Sequence, residues 1–145
     1  MFILRNFRPH DLDQVSSLVE KCLREQYSHS FYLTIFNIWP NGFIVAEHEN
    51  RIIGVLVGVV SAPKEGRVLI LGVDENMRRK GVGSALLDAF IEECTRYGLK
   101  TVTLEVRVTN EVARHFYQKR GFEVIGLIPH YYHDGEDGYQ MRRVL

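Results

Sequence analysis

Arg78-Arg79-Lys80-Gly81-Val82-Gly83-Ser84 is the stretch on which the reading of this chain turns. An alternating apolar segment, Arg67–Asp74, precedes it. A helical pattern runs from Val82 to Tyr97, with Leu86, Leu87, Phe90, Ile91, Cys94 and Tyr97 on the inward face. Two glycines let the backbone tighten and turn several N–H groups toward one point. The helix that starts there adds the positive end of its dipole, and three cations surround the turn. Together these make an anion site of pyrophosphate size. The spacing is not that of a Walker loop, G-x-x-x-x-G-K-[ST]. It is not G-x-G-x-x-G either, because Leu86 stands where the last glycine would be. Taken alone, the segment also reads as a glycine turn edged by solvated charges.

Outward from this turn, the pattern predicts strands and helices in a definite order. Phe2–Arg8 reads as a strand ended by Pro9, and Asp11 as a helix N-cap with Gln14 three residues on, a capping-box variant. Leu12, Val15, Leu18, Val19, Cys22 and Leu23 form one apolar stripe. The aromatic-rich segment Glu25–Trp39 reads as a second, shorter helix before the Pro40-Asn41-Gly42 turn. Phe43–Glu49 and Ile52–Ser61 read as strands joined at Asn50-Arg51, and Pro63-Lys64-Glu65-Gly66 as the turn before Arg67–Asp74. After the helix, Gly98 suits the C′ position and Lys100–Arg107 alternates as a strand. Asn110 caps a short helix ending at Lys119-Arg120, and Phe122–Ile128 with Gly138–Val144 closes as an antiparallel pair. The order is β-α-α-β-β-β-α-β-α-β-β: an α+β fold, a three-layer α/β arrangement with one mixed sheet flanked by helices.

Length and composition bound the function. The 145 residues are 46% hydrophobic and 25% charged, which fits a single domain spanning residues 1–145. Eighteen Lys and Arg against 18 Asp and Glu exclude a general polyanion binder, so no nucleic-acid partner is expected. No apolar run approaches a membrane span, and Met1–Arg8 is not a secretory signal. A cytoplasmic protein is expected. Cys22 and Cys94 sit at helical spacing among apolar residues and read as reduced core thiols.

Arg78-x-x-Gly81-x-Gly83 after a strand resembles the acetyl-CoA pyrophosphate loop of the GNAT acetyltransferase superfamily, and the element order is similar to its fold. Leu104-Glu105-Val106-Arg107-Val108-Thr109-Asn110, with Ala113, Phe116-Tyr117 and Gly121-Phe122, resembles the signature of its protein N-terminal acetyltransferase branch, which includes the ribosomal-protein-alanine acetyltransferases. The segment Tyr131-Tyr132-His133-Asp134-Gly135-Glu136-Asp137-Gly138-Tyr139-Gln140-Met141 is similar to the closing hairpin of archaeal and eukaryotic N-terminal acetyltransferase catalytic subunits. The resemblance runs from Ile3 to Arg143.

The resemblance implies acetyl-CoA as cosubstrate. Its pantetheine would pair with the strand backbone at Leu71-Gly72-Val73, and its pyrophosphate would sit on Arg79 to Ser84. Gly72 also reads as a packing glycine. Asn110 would touch the cofactor while capping its helix. Tyr117 falls where the family places the tyrosine facing the CoA sulfur, and is assigned as general acid; otherwise it is a core aromatic beside Phe116. Glu105 shares its strand face with Thr103 and Arg107, and by itself reads as a solvated or Arg-paired glutamate. With the resemblance it becomes the general base, acting through a water. Glu25-Gln26-Tyr27 resembles the turn lining the peptide entrance, with Tyr131 and Tyr132 as the facing wall. Asp134, Glu136 and Asp137 would attract a cationic N-terminus or form a solvated turn.

Some archaeal relatives carry a His, at the position of Arg67, that pairs with the base glutamate and can do so through a metal. The substitution predicts no metal and a different environment for Glu105; His130-x-x-His133 with Asp134 is the other metal candidate. A free α-amine has a pKa near 8, so roughly a tenth is neutral at pH 7, against about one part in 2,500 for a lysine. That favours an N-terminal amine attacking the thioester directly, with no acyl-enzyme. The alternatives are a GNAT acting on lysine side chains or a small amine, and a non-catalytic acetyl-CoA-binding subunit. A homodimer and an auxiliary subunit are both left open.

Overall fold

Phe43 and Val45 point to one side of their strand and Ile44 and Ala46 to the other, and all four are buried. A strand apolar on both faces must be covered on both, so helices are required above and below the sheet. The computed structural model describes residues 1–145. Its strands are β1 (Ile3–Asn6), β2 (Phe43–His48), β3 (Arg51–Ala62), β4 (Glu65–Val73), β5 (Thr101–Arg107), β6 (Glu123–Ile128) and β7 (Gly138–Val144). They form one sheet in the order β1-β2-β3-β4-β5-β7-β6, antiparallel throughout except between β4 and β5. Helices α1 (Leu12–Leu23) and α2 (His29–Ile38) cover one face around Phe7, Val15, Val19 and Tyr32. Helices α3 (Val82–Arg96) and α4 (Glu111–Gln118) cover the other around Leu86, Leu87, Phe90 and Tyr117. The element order and mixed sheet are those expected from the sequence.

Four local expectations are corrected. Asp11 does not cap α1: it is helical itself, and its carboxylate turns back to the Arg8 N–H (2.8 Å) and to Arg5 (2.8 and 2.9 Å). Gln14 instead accepts from the Ile52 N–H at 2.9 Å, tying α1 to β3. The β2–β3 turn is Glu49-Asn50, both at positive φ as a tight hairpin requires, so Arg51 already belongs to β3. Glu65 and Gly66 belong to β4, which leaves Pro63-Lys64 as the turn. Tyr97 is 59% exposed, lying on Trp39 with ring centroids 5.3 Å apart, and is not part of the core.

What positions the site is a failure of pairing. β4 and β5 run parallel at Glu65↔Thr101, Gly66↔Val102 and Arg67↔Thr103, and then separate. From Val68 to Val73, β4 keeps its partner β3 on one side and has no strand on the other. Unpaired backbone on a central strand needs donors and acceptors from elsewhere. The gap between the strands is therefore a ready slot for an extended ligand.

Candidate functional site

Two clefts open from this split. The first, about 820 Å³, lies between β4, the start of α3 and α4. Leu71, Gly72 and Val73 line it together with Arg78, Arg79, Gly81, Val82, Gly83, Ser84, Asn110 and Tyr117. Of the residues expected to hold the cofactor, Lys80 alone lies outside the lining and points to solvent. Gly81 stands at φ 83° with no atom within 4 Å of where a Cβ would sit, so the glycine is there for its left-handed backbone. The first N–H to bond back within α3 is that of Ala85, to Gly81 C=O at 3.0 Å. The N–H groups of Val82, Gly83 and Ser84 therefore face the cleft end of the helix axis. A Cβ on Gly72 would meet Cys22 at 3.4 Å, an ordinary contact, so tight packing does not explain that glycine. The Val73 carbonyl is already taken by the Cys22 thiol and by Arg78 Nε, each at 3.2 Å.

Cys22 is thus half-buried on the cleft wall and is not a core thiol, correcting the sequence reading. Cys94 is buried as expected, and burial, with Glu93 beside it, pushes its thiol up to about 12.

The second cleft, about 590 Å³, lies on the β5 side. Glu25, Tyr27, Glu105, Tyr131 and Tyr132 line it, so the residues expected at the amine end do come together. Both clefts share Leu23, Leu71, Asn110, Ala113 and Tyr117. Asn110 caps α4 through Oδ1 to the Ala113 N–H (3.0 Å) while lining both clefts. Tyr117 is buried, and no group of the chain hydrogen-bonds its hydroxyl; burial, reinforced by Tyr132, raises its pKa well above that of an ordinary phenol.

Glu105 is 6% exposed in its side chain and pairs with Arg67: Nη2 and Nε donate to Oε1 at 2.7 and 3.1 Å. The Tyr131 hydroxyl accepts from Arg67 Nη2 at 2.9 Å and lies 3.4 Å from the same carboxylate oxygen. All three contacts converge on Oε1, which leaves Oε2 without a protein partner. Arg67 thus takes the place the sequence suggested, as Glu105's partner.

Arg107, not singled out from sequence, joins both walls. It holds Asp134 (2.9 Å) and Glu136 (2.8 Å), lies 3.9 Å from Glu25, and stacks 4.1 Å above the Tyr132 ring. Its place two residues from Glu105 on the same strand face was the available signal. Asp137 accepts from the His130 N–H at 2.9 Å. Asp134 and Glu136 are thus tied to β5 through Arg107, and Asp137 is held within the hairpin. His130 Nδ1 lies 3.0 Å from Gly135 C=O.

Residues 12–122 match the family model "Acetyltransferase (GNAT) family". The chain is 33% identical over 154 residues to an N-alpha-acetyltransferase of Sulfurisphaera tokodaii, covering 98% of this chain and 92% of that one. The solved structure of Ard1 from Thermoplasma volcanium superposes with a TM-score of 0.95 at 37% identity, covering 99% and 97% of the two chains. Chaetomium thermophilum Naa20, solved in complex with a bisubstrate analogue, gives 0.90 at 28% identity, covering 99% and 86%. The fold, the turn at Gly81 and these likenesses agree: the chain belongs to the GNAT acetyltransferase family and is an acetyl-CoA-dependent N-acetyltransferase.

Proposed function

We propose that this protein acetylates the N-terminal α-amine of peptides or proteins, with acetyl-CoA entering one cleft and the peptide the other. The observation that carries the reading is Tyr117, buried where the two clefts meet. A diphosphate fits one end, where free helix N–H groups and cations converge. A small charged amine fits the other, where aromatic walls surround a buried carboxylate. The names of the relatives support the choice of substrate.

In this reading the incoming ammonium loses its proton to Glu105 through a water at Oε2, the oxygen that Arg67 leaves free. The neutral amine attacks the thioester carbonyl; the C–N bond forms, the C–S bond breaks and the departing thiolate takes the Tyr117 proton, while the acylated nitrogen releases its second proton to water, from which Tyr117 is re-protonated. Transfer is direct. Cys94 is too buried and too weakly acidic to serve as a nucleophile, and Cys22 faces the cofactor half. Two unpaired cysteines fit a cytoplasmic setting, and no helix is long and apolar enough to cross a membrane.

Incubation with acetyl-CoA and a library of Ser-, Ala- and Met-starting peptides, followed by mass spectrometry, tests the proposal. Acetyl groups on α-amines are expected. Label on lysine side chains or free amines alone would move the activity to another substrate class. Cofactor binding without any transfer would make the chain a non-catalytic subunit.

A further inference from the structure

Arg120 was read from the sequence only as the end of a short helix. In the fold its side chain turns back from the C-terminus of α4 into the cofactor cleft. Nη1 donates to Phe116 C=O at 2.9 Å, the guanidinium lies 3.9 Å from the centroid of the Phe116 ring, and Nη2 hydrogen-bonds the Ser84 hydroxyl. Ser84 stands in the first turn of α3, among the N–H groups that face the cleft. Arg5, Arg67 and Arg107 each meet a carboxylate. Arg120 is also partly buried, yet its partners are a carbonyl, a hydroxyl and an aromatic face, all of them neutral. Desolvating a cation beside a helix N-terminus, with no acid to offset it, is unfavourable until an anion arrives.

We propose that Arg120 is a phosphate ligand of the cofactor. It grips the diphosphate from the α4 side while the Gly81–Ser84 turn grips it from the other. Of five guanidinium N–H donors two are used, on Phe116 C=O and Ser84, and the group lines the cleft, where a phosphate presents acceptors that match the rest of the fork. The stack on Phe116 and the bond to Ser84 hold the fork in place beforehand, so little side-chain entropy is lost on binding. Because Ser84 is shared, the diphosphate is the assigned partner and the more peripheral 3′-phosphate is not. The proposal rests on the acetyl-CoA reading above.

Calorimetric titration of the full chain and of Arg120→Met with CoA and with 3′-dephospho-CoA tests it. Arg120→Met is expected to weaken both ligands alike, by about tenfold or more, the scale of a lost charge-assisted hydrogen bond. Equal dissociation constants for the two proteins would overturn the proposal. A loss seen with CoA and absent with 3′-dephospho-CoA would overturn the diphosphate assignment in favour of the 3′-phosphate. If the unmodified chain bound neither ligand, the acetyl-CoA reading itself would fail. Arg120→Gln keeps a polar amide and removes the charge and the fork; should the Met variant not fold, the same loss is expected from Gln, and its absence is equally decisive.

Discussion

At the scale of single residues, Tyr117 carries the proton balance of the proposed reaction. Its burial, with Tyr132 near it, raises its pKa, so the phenol stays protonated to higher pH than a free tyrosine would. An acid that keeps its proton is available across the whole range in which the amine deprotonates. The rate should therefore rise through the amine's pKa near 8 and hold level to at least about pH 10. A fall between pH 8 and 10 would show that a different acid is titrating. Changing Tyr117 to Phe should lower kcat by about 10- to 100-fold while leaving acetyl-CoA binding near normal, since a CoA thiolate departs readily and needs only modest protonation. Glu105 has the opposite signature. Its service as a base matters while the amine is mostly an ammonium, so Glu105→Gln should reduce the rate most below about pH 7 and converge on the unmodified enzyme above pH 9. A pH-independent deficit would place the base elsewhere. Arg67 shapes both expectations by occupying Oε1 and hydrogen-bonding Tyr131, which leaves the carboxylate one orientation and one free oxygen.

At the scale of elements, the junction of β1 and α1 is held by charge. Burial by itself would raise the pKa of Asp11, but the hydrogen bond from Arg5, the Arg8 N–H and the Arg5 charge outweigh it and leave that pKa below the ordinary value. A carboxyl whose folded pKa is depressed contributes stability above its unfolded pKa near 3.9 and loses it as the pH falls through the folded value. Asp11→Asn should thus cost about 3 kcal/mol in urea unfolding at pH 7, with the gap closing as the pH falls below the ordinary aspartate range and the folded carboxyl takes up its proton. An equal difference at both pH values would mean that shape, not charge, is the contribution. The same residue shows where sequence reading stops. Leu86, Leu87, Phe90, Ile91 and Cys94 announce α3 because burial on one face imposes a period near 3.6, and the alternation in β2 works likewise. Asp11 before an apolar stripe looks like a cap; only the fold brings Arg5 to it, and nothing local records that. The glycine turn before α3 was legible because glycines, cations and a helix start are adjacent in the chain. Arg120 was not, since its meeting with Ser84 spans 36 residues. The split of β4 from β5 was invisible too, because it is a register between strands some 30 residues apart.

At the scale of the whole molecule, eighteen positive and eighteen negative side chains cancel, but the cancellation is not uniform. Around the cleft between β4 and α3, Arg78, Arg79 and Arg120 stand without a carboxylate in contact. Around the other cleft, Glu105 is matched by Arg67, and Arg107 draws in Glu25, Asp134 and Glu136. One end therefore presents an unbalanced positive field, and at the other two guanidinium groups against four carboxylates leave a smaller, negative remainder held in close contact with its partners. Screening acts more strongly on the first than on the second, since paired charges a few ångströms apart project weakly beyond a Debye length. Raising NaCl from about 0.05 to 0.5 M shortens that length from roughly 14 to 4 Å. The dissociation constant for acetyl-CoA should then rise several-fold, while the KM for a peptide without charged side chains changes by less than about twofold. Calorimetry for the first quantity and steady-state rates at saturating acetyl-CoA for the second separate them. A peptide KM that climbs as steeply as the cofactor's dissociation constant would mean that the hairpin acids reach the substrate after all, and that Arg107 does not hold them when peptide is present.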